Sequence, residues 1–231
     1  MLHDYRAVRE IANAIAEESE QVISAYRRAR ITDEPHITDR LMGAIEARVR
    51  NMSHGPAIST GYGGGILAPI RWEVMTLRSG PGSAAHEKKF GADILGVFNA
   101  ELPNYKISKG FLAQAKRAEP GEFFARAEWN RMIEQCNRML NLTPDAFIIA
   151  YSKKKGVRFF SALAVTSLNS RDMFDLYSMA PRAFFERHFQ SFIGDKRLNR
   201  PDISVLERLQ VEEAGDERPS CHVINFVARQ G

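Results

Sequence analysis

Gly91-Ala92-Asp93-Ile94-Leu95-Gly96-Val97-Phe98 and Lys109-Gly110-Phe111-Leu112-Ala113-Gln114-Ala115-Lys116 are the two stretches that decide how this chain reads. Ala92 to Phe98 is an apolar run of strand length with an acid at its start. Gly110 to Lys116 is a second strand candidate, with an amide and an amine near its end. Successive strand side chains point to opposite faces, so Gln114 and Lys116 share a face and Ala115 lies opposite. If the two strands are neighbours, the Asp93 carboxylate, the Gln114 amide oxygen and the Lys116 ammonium converge. A polar trio in apolar strands costs stability unless it is paired or metal-bound. Mg²⁺ suits such a site, because it takes one or two carboxylates together with waters and phosphate oxygens. A metal there acidifies a bound water, and a lysine beside that water offsets developing charge. The competing reading makes Asp93 a turn cap and Lys116 a solvated basic edge, as for most single surface charges.

The flanking sequence supplies helices and further strands. Val8, Ile11, Ile15, Val22 and Tyr26 recur at helical spacings within residues 4–30. Thr32-Asp33-Glu34-Pro35 gives break and restart signals, and Ile37, Leu41, Ile45 and Val49 form one stripe of a second helix over 37–49. Residues 51–65 read as a loop, 66–79 as a strand, 122–140 as a helix ended by Thr143-Pro144-Asp145, and 146–151 as a buried strand. Val157 to Ala162 returns beside it after the Lys153-Lys154-Lys155-Gly156 turn. A helix over 171–192, interrupted near Pro181, and a strand over 223–227 complete the reading, with the stretch from 195 the least legible. The order of elements predicts an α/β fold with a mixed sheet. One domain is expected: an N-terminal helical extension (1–33), a core (34–165) and a C-terminal helical and strand extension (166–231).

Gly91-Ala92-Asp93 and Gln114-Ala115-Lys116 resemble the Asp and (Glu/Gln)-x-Lys motifs of the PD-(D/E)XK nuclease superfamily. The likeness spans about residues 35–160. It is nearest to the Mrr-like and related restriction or defence nucleases, which often carry Gln in place of the second acid. The resemblance implies a restriction-endonuclease-like mixed sheet flanked by helices. It also implies a Mg²⁺- or Mn²⁺-dependent nuclease, cutting DNA in preference to RNA, in a restriction or anti-phage setting. Asp93 and Gln114 would ligate the metal and Lys116 would assist the attacking water. Family members often form homodimers or serve as modules of larger complexes, and the first helix is a candidate for such contacts. The departure is Gln114, whose amide oxygen is a weaker ligand than a carboxylate. A catalytically weak or inactive module that binds nucleic acid or a partner protein is therefore the alternative.

The family commonly places a further acid on the helix before the first core strand. Glu46 fits, beside the apolar stripe of Met42, Ile45 and Val49, and would add a metal ligand or orient the water. Glu87, six residues before Asp93, competes with it, and Glu73 on the first strand candidate ranks lower. Lys88, Lys89, Lys109 and Arg117 near the motif, and Lys153, Lys154 and Lys155 in the later turn, are the expected nucleic-acid contacts. They would neutralise phosphates without reading sequence. Any one of them alone reads as a solubilising surface charge.

Other chemistry is not signalled. Gly61, Gly63, Gly64 and Gly65 lack the Gly-Lys-Ser/Thr ending of a phosphate loop. The six histidines show no metal-ligand spacing. His86 could touch a phosphate, whereas His188 sits among Phe184, Phe185, Phe189 and Phe192 and reads as core. No Ser occupies a G-x-S-x-G elbow. The 231 residues, 44% hydrophobic and 26% charged, have the composition of a folded chain, which excludes disordered and collagen-like classes. A net charge of +4 is compatible with a polyanion partner. Two cysteines make a disulfide scaffold or a thiolate zinc site a poor fit. No apolar stretch approaches the ~20 residues that cross a bilayer, and Met1-Leu2-His3-Asp4 does not begin a signal peptide, so no membrane partner and a cytoplasmic location are expected.

Overall fold

Apolar residues at helical spacing produce α1 (Tyr5–Arg27) and α2 (Glu34–Ser53) in the computed structural model, which describes residues 5–53, 70–77, 88–102, 105–168 and 170–215. Val8, Ile11, Ile15 and Val22 of α1 are buried, as are Ile37, Leu41, Ile45 and Val49 of α2. The corner between the helices is specified residue by residue. Ala29 takes a left-handed conformation (φ 54°), which lets Ala29 N–H bond Tyr26 O at 3.0 Å and Arg30 N–H bond Ala25 O at 3.0 Å. This pattern closes the end of α1. Asp33 then caps α2, its Oδ1 accepting His36 N–H at 3.0 Å.

Five strands follow in spatial order: β1 (Ile70–Thr76), β2 (Ile94–Leu102), β3 (Tyr105–Arg117), β4 (Ala146–Ser152) and β5 (Gly156–Ser161). Only the β3–β4 pair is parallel. A parallel neighbour requires a crossover, and α3 (Arg126–Leu142) supplies it. The sheet is therefore mixed, as the order of elements predicts, and helices cover both faces. Phe111, Ala113 and Ala115 of β3 join α1, α2 and the later helix α5 (Pro181–Phe189) in one apolar cluster. Leu112 joins Met132, Cys136 and Met139 of α3, and Leu206 of α6 (Ile203–Gly215), in the other. The 7-residue β4 is buried throughout, which explains its unbroken apolar sequence.

Several expectations are adjusted. β3 extends to 13 residues, beginning five residues before Gly110. A short helix, α4 (Ala162–Thr166), follows β5 directly. The single interrupted helix over 171–192 is instead a 3₁₀ turn (Met173–Asp175), an extended link and α5. Asp172 holds the turn by accepting Phe174 N–H at 2.9 Å and Gly121 N–H at 2.7 Å. Met179 then exchanges two 2.9 Å backbone bonds with Phe159, so this stretch extends the sheet's bonding instead of coiling. The stretch after 195 forms α6, which the sequence does not signal. The predicted strand over 223–227, the glycine-rich loop and His86 lie outside the described residues. Among the described residues, no helix is long and apolar enough to cross a membrane.

Lys109 corrects the list of nucleic-acid contacts. It is 1% exposed, because its place opposite Phe98 on β3 aims it at α5. Its Nζ donates to the carbonyls of His188 and, at 2.6 Å, Ile193. Burial lowers its pKa to about 8, against the opposing pull of the Asp145 charge. His188 is the packed core residue its neighbours suggest. Its Nδ1 faces Ile193 O at 3.1 Å, and the rings of Phe98, Phe111 and Phe184 surround it. Burial, then the nearby Lys109 charge, lowers its pKa to about 3. The unfolded chain takes up this proton near pH 6.5 and the folded chain does not until about 3. Stability should therefore fall as pH drops through that window, by up to about 1.4 kcal/mol per pH unit from this group. Urea unfolding at pH 7, 6, 5 and 4 should show that loss, and His188→Gln should flatten it.

Candidate active site

The β2–β3 register brings the decisive residues together. Ile94 lies opposite Ala113, so one step outward sets Asp93 opposite Gln114 at the end of the hairpin where β2 begins. Asp93 is 4% exposed and Gln114 1%. Asp93 Oδ2 accepts Ala115 N–H at 2.9 Å and Gln114 Nε2–H at 2.5 Å. β3 runs on past the start of β2 to Arg117, and in that overhang the Asp93 side chain serves as the neighbour that β2 does not provide. Hydrogen bonds to an ionised acceptor contribute about 1.5–3 kcal/mol each, enough to hold a carboxylate at this depth.

Gln114 has a second polar end. Its Oε1 is buried with no hydrogen-bond partner among the described residues, as are Trp72 Nε1 and His188 Nε2 in the core, so it is open to a ligand without requiring one. Two residues along β3, on the same face, stands Lys116. Its side chain is 12% exposed, and its Nζ lies 3.9 Å from Glu34 Oε1. The other Glu34 oxygen accepts Arg117 N–H at 3.1 Å. Lys116 also stands close enough to Cys136 of α3 for its charge to act on the thiol, although burial dominates there and pushes that pKa up to about 12. Cys136 is accordingly a packing residue and not a nucleophile.

Glu34 is the residue that the sequence alone does not single out. It stands there as part of a helix-start signal, and a carboxylate in the first turn of a helix looks like a partner for the helix dipole. Nothing in the sequence shows that the start of α2 abuts the end of β3. Glu46, the expected helix acid, lies 12 residues further along α2, about 18 Å at 1.5 Å per residue. It pairs with Arg50 at 2.9 Å. Glu73 is the middle residue of β1, where its carboxylate accepts Asn99 Nδ2–H at 3.2 Å. Glu87 lies outside the described residues.

Asp93 and Gln114 can together offer a carboxylate and an amide oxygen to a hard cation. Among the described residues, no three His, Cys, Asp or Glu side chains cluster as a metal-binding group. The donor chemistry fits Mg²⁺ or Mn²⁺, which take few protein ligands and complete their shells with water and phosphate oxygens. It does not suit zinc, which prefers nitrogen and sulfur donors. A cavity of about 390 Å³ lies beside Glu34 and Arg117, lined also by Tyr26, Glu119, Glu122 and Phe123, but Asp93, Gln114 and Lys116 do not line it.

The expected cationic contacts divide. Lys88 and Lys89 are exposed, but Lys89 lies 3.6 Å from Glu207 of α6. Arg117 donates to Thr32 O at 2.9 Å. Lys153, Lys154 and Lys155 are all exposed. No protein-family model, curated protein or solved structure matches this chain.

Gly91 fixes the approach to Asp93. Its φ is +75°, and a Cβ there would lie 2.4 Å from Gln135 O of α3. Gly91→Ala should cost about 1–3 kcal/mol from backbone strain, and more from the clash. Thermal unfolding measures the loss, and an unchanged midpoint would contradict this packing.

Proposed function

We propose that this chain is a metal-dependent nuclease of the PD-(D/E)XK kind that hydrolyses phosphodiester bonds, in DNA before RNA. The observation that carries the reading is the buried contact between Asp93 and Gln114, with an unpartnered amide oxygen on the same side chain. The architecture adds support. A helix, three antiparallel strands, a crossover helix and a parallel strand follow in that order, which accords with a restriction-endonuclease-like core. On the helix before the first core strand, the acid that faces Lys116 is Glu34, whereas Glu46 pairs with Arg50. A restriction or anti-phage setting is what the resemblance adds.

Asp93 and Gln114 would hold Mg²⁺ or Mn²⁺. When bound, the ion would acidify a water and neutralise charge on the phosphorus. Lys116 supplies an ammonium from the same face of β3, able to donate to a phosphate oxygen or to the attacking water. Glu34 restrains that ammonium at a distance typical of a loose ion pair, so the lysine can swing to substrate without leaving a buried unpaired charge. The Ala115 N–H bond holds the Asp93 carboxyl group in place.

A second reading has its own observation. The Gln114 Nε2–H bond satisfies Asp93 without a metal, which favours a module that keeps the fold and binds nucleic acid without cutting it. Plasmid, linear duplex and single-stranded substrates, each with EDTA, Mg²⁺ or Mn²⁺, separate the two. The nuclease reading predicts metal-dependent cleavage, lowered about 100-fold or more by Asp93→Ala and by Lys116→Ala with folding intact. Salt-sensitive binding without cleavage in any metal would establish the module instead.

A variant that gains a carboxylate tests the metal directly. Gln114→Glu sets a second buried acid against Asp93, and like charges at this distance repel. Its melting temperature should fall in EDTA and recover in Mn²⁺ by more than that of the unaltered chain. Equal responses to Mn²⁺ would argue against a cation between these side chains.

A further inference from the structure

We propose that the α1–α2 corner and the β4–β5 turn form one rigid basic ridge that binds the phosphate backbone of nucleic acid and leads it to the Asp93–Gln114 end. The inference rests on the nuclease reading for its destination, although the ridge itself stands on separate observations. Lys153, Lys154 and Lys155 project from a turn whose backbone is fully engaged from below. Glu119 accepts the N–H groups of Lys153 (2.5 Å) and Lys154 (3.2 Å) and the Ser152 hydroxyl (2.6 Å). Ser152 Oγ in turn accepts the N–H groups of Lys154 (3.1 Å) and Lys155 (2.8 Å). Gly156, at φ +75°, closes the turn. The acid in this turn network is therefore directed at backbone, and the three lysine side chains are left to solvent.

The corner of α1 is fastened to the same turn. Arg27 Nε donates to Lys153 O at 2.7 Å, and Lys153 Nζ lies 4.9 Å from the centre of the Tyr26 ring. Arg28 and Arg30 flank the left-handed Ala29 and are exposed. Among the described residues Arg28, Arg30, Lys154 and Lys155 have no ion-pair partner, whereas Arg27 pairs with Glu20. Unpaired cations held by a pre-ordered backbone lose little entropy on meeting phosphates. Continuity with the site comes through Arg117, which donates to Thr32 O in the corner and gives its backbone N–H to Glu34, the partner of Lys116. Charge complementarity selects a polyanion as occupant. The spread of cations over two elements suits a chain of phosphates better than a single small anion.

The test measures equilibrium binding in EDTA, where metal-dependent cleavage is blocked, to fluorescent duplex DNA, duplex RNA and single-stranded DNA over a range of salt. The combined variant Lys153→Gln, Lys154→Gln, Lys155→Gln, Arg28→Gln, Arg30→Gln should weaken binding. It should also flatten the log affinity–log salt slope for duplex DNA by about 0.9 for each phosphate that is no longer neutralised. Lys196→Gln with Arg200→Gln, exposed in the stretch whose Asp195 bridges Gly110, should change neither. The proposal is overturned if the unaltered chain binds none of the three, if the ridge variant binds within twofold of it, or if both variants weaken binding equally. Ridge-dependent binding without cleavage in Mn²⁺ would sink the nuclease reading and leave the ridge standing, so the two failures are distinguishable. The preferred nucleic acid is read from which of the three arms loses most.

Discussion

A carboxylate buried where one strand stops short of its neighbour is the constraint around which this molecule is arranged. Asp93 occupies the place where β2 would have continued along β3, and it receives the Ala115 N–H that lies there. A buried acid at that depth is tolerable only with hydrogen-bond partners in place. The hairpin register, the tight Gly91 turn against α3 and the identity of residue 114 are all tied to that requirement. Gln114 meets it with its nitrogen and leaves its oxygen without a partner. The same arrangement that stabilises the acid thus presents an oxygen donor beside it.

The sheet explains why these groups sit at one end of the molecule. β3 pairs antiparallel with β2 and parallel with β4, so the α3 crossover must return the chain to the end at which β4 begins. Lys116 and Arg117 emerge at the opposite end, where α2 starts and the β4–β5 turn closes. Asp93 and Gln114 stay buried there, accommodated by bonding each other and the Ala115 N–H. The other end of β3 carries Lys109, handled differently. Its ammonium is buried and bonded to carbonyls, and it fastens α5 and the following loop to the sheet.

Much of this was legible in the sequence, and the remainder failed for identifiable reasons. The strands around Asp93 and Gln114 were readable because apolar runs of that length, bounded by turn residues, have few other uses. Alternation set Gln114 and Lys116 on one face, and the approach of Asp93 to Gln114 depended further on β2 and β3 being neighbours, as they are. Glu46 satisfied the periodicity argument but pairs with Arg50, and the α2 acid that meets Lys116 is Glu34. The deciding fact was the docking of the α2 N-terminus on β3, a contact between residues 82 apart that local pattern does not encode. Lys109 was misread for the converse reason. A lysine beside a glycine looks exposed, and only its position opposite Phe98 shows that it is not. Residues 171–180 kept a helical composition but were claimed by Asp172 and by the Met179–Phe159 bridge.

Asp93 and Gln114 belong to a single hairpin, whereas Glu34 arrives from a helix far earlier in the chain. Contacts of short sequence separation close sooner, because less loop entropy opposes them. Loop entropy therefore opposes the acid–amide couple less than the lysine's carboxylate restraint, which depends on the docking of the amino-terminal helices. Loosening that docking would free the ammonium while leaving the couple assembled, so the two halves of this centre differ in how readily they come apart.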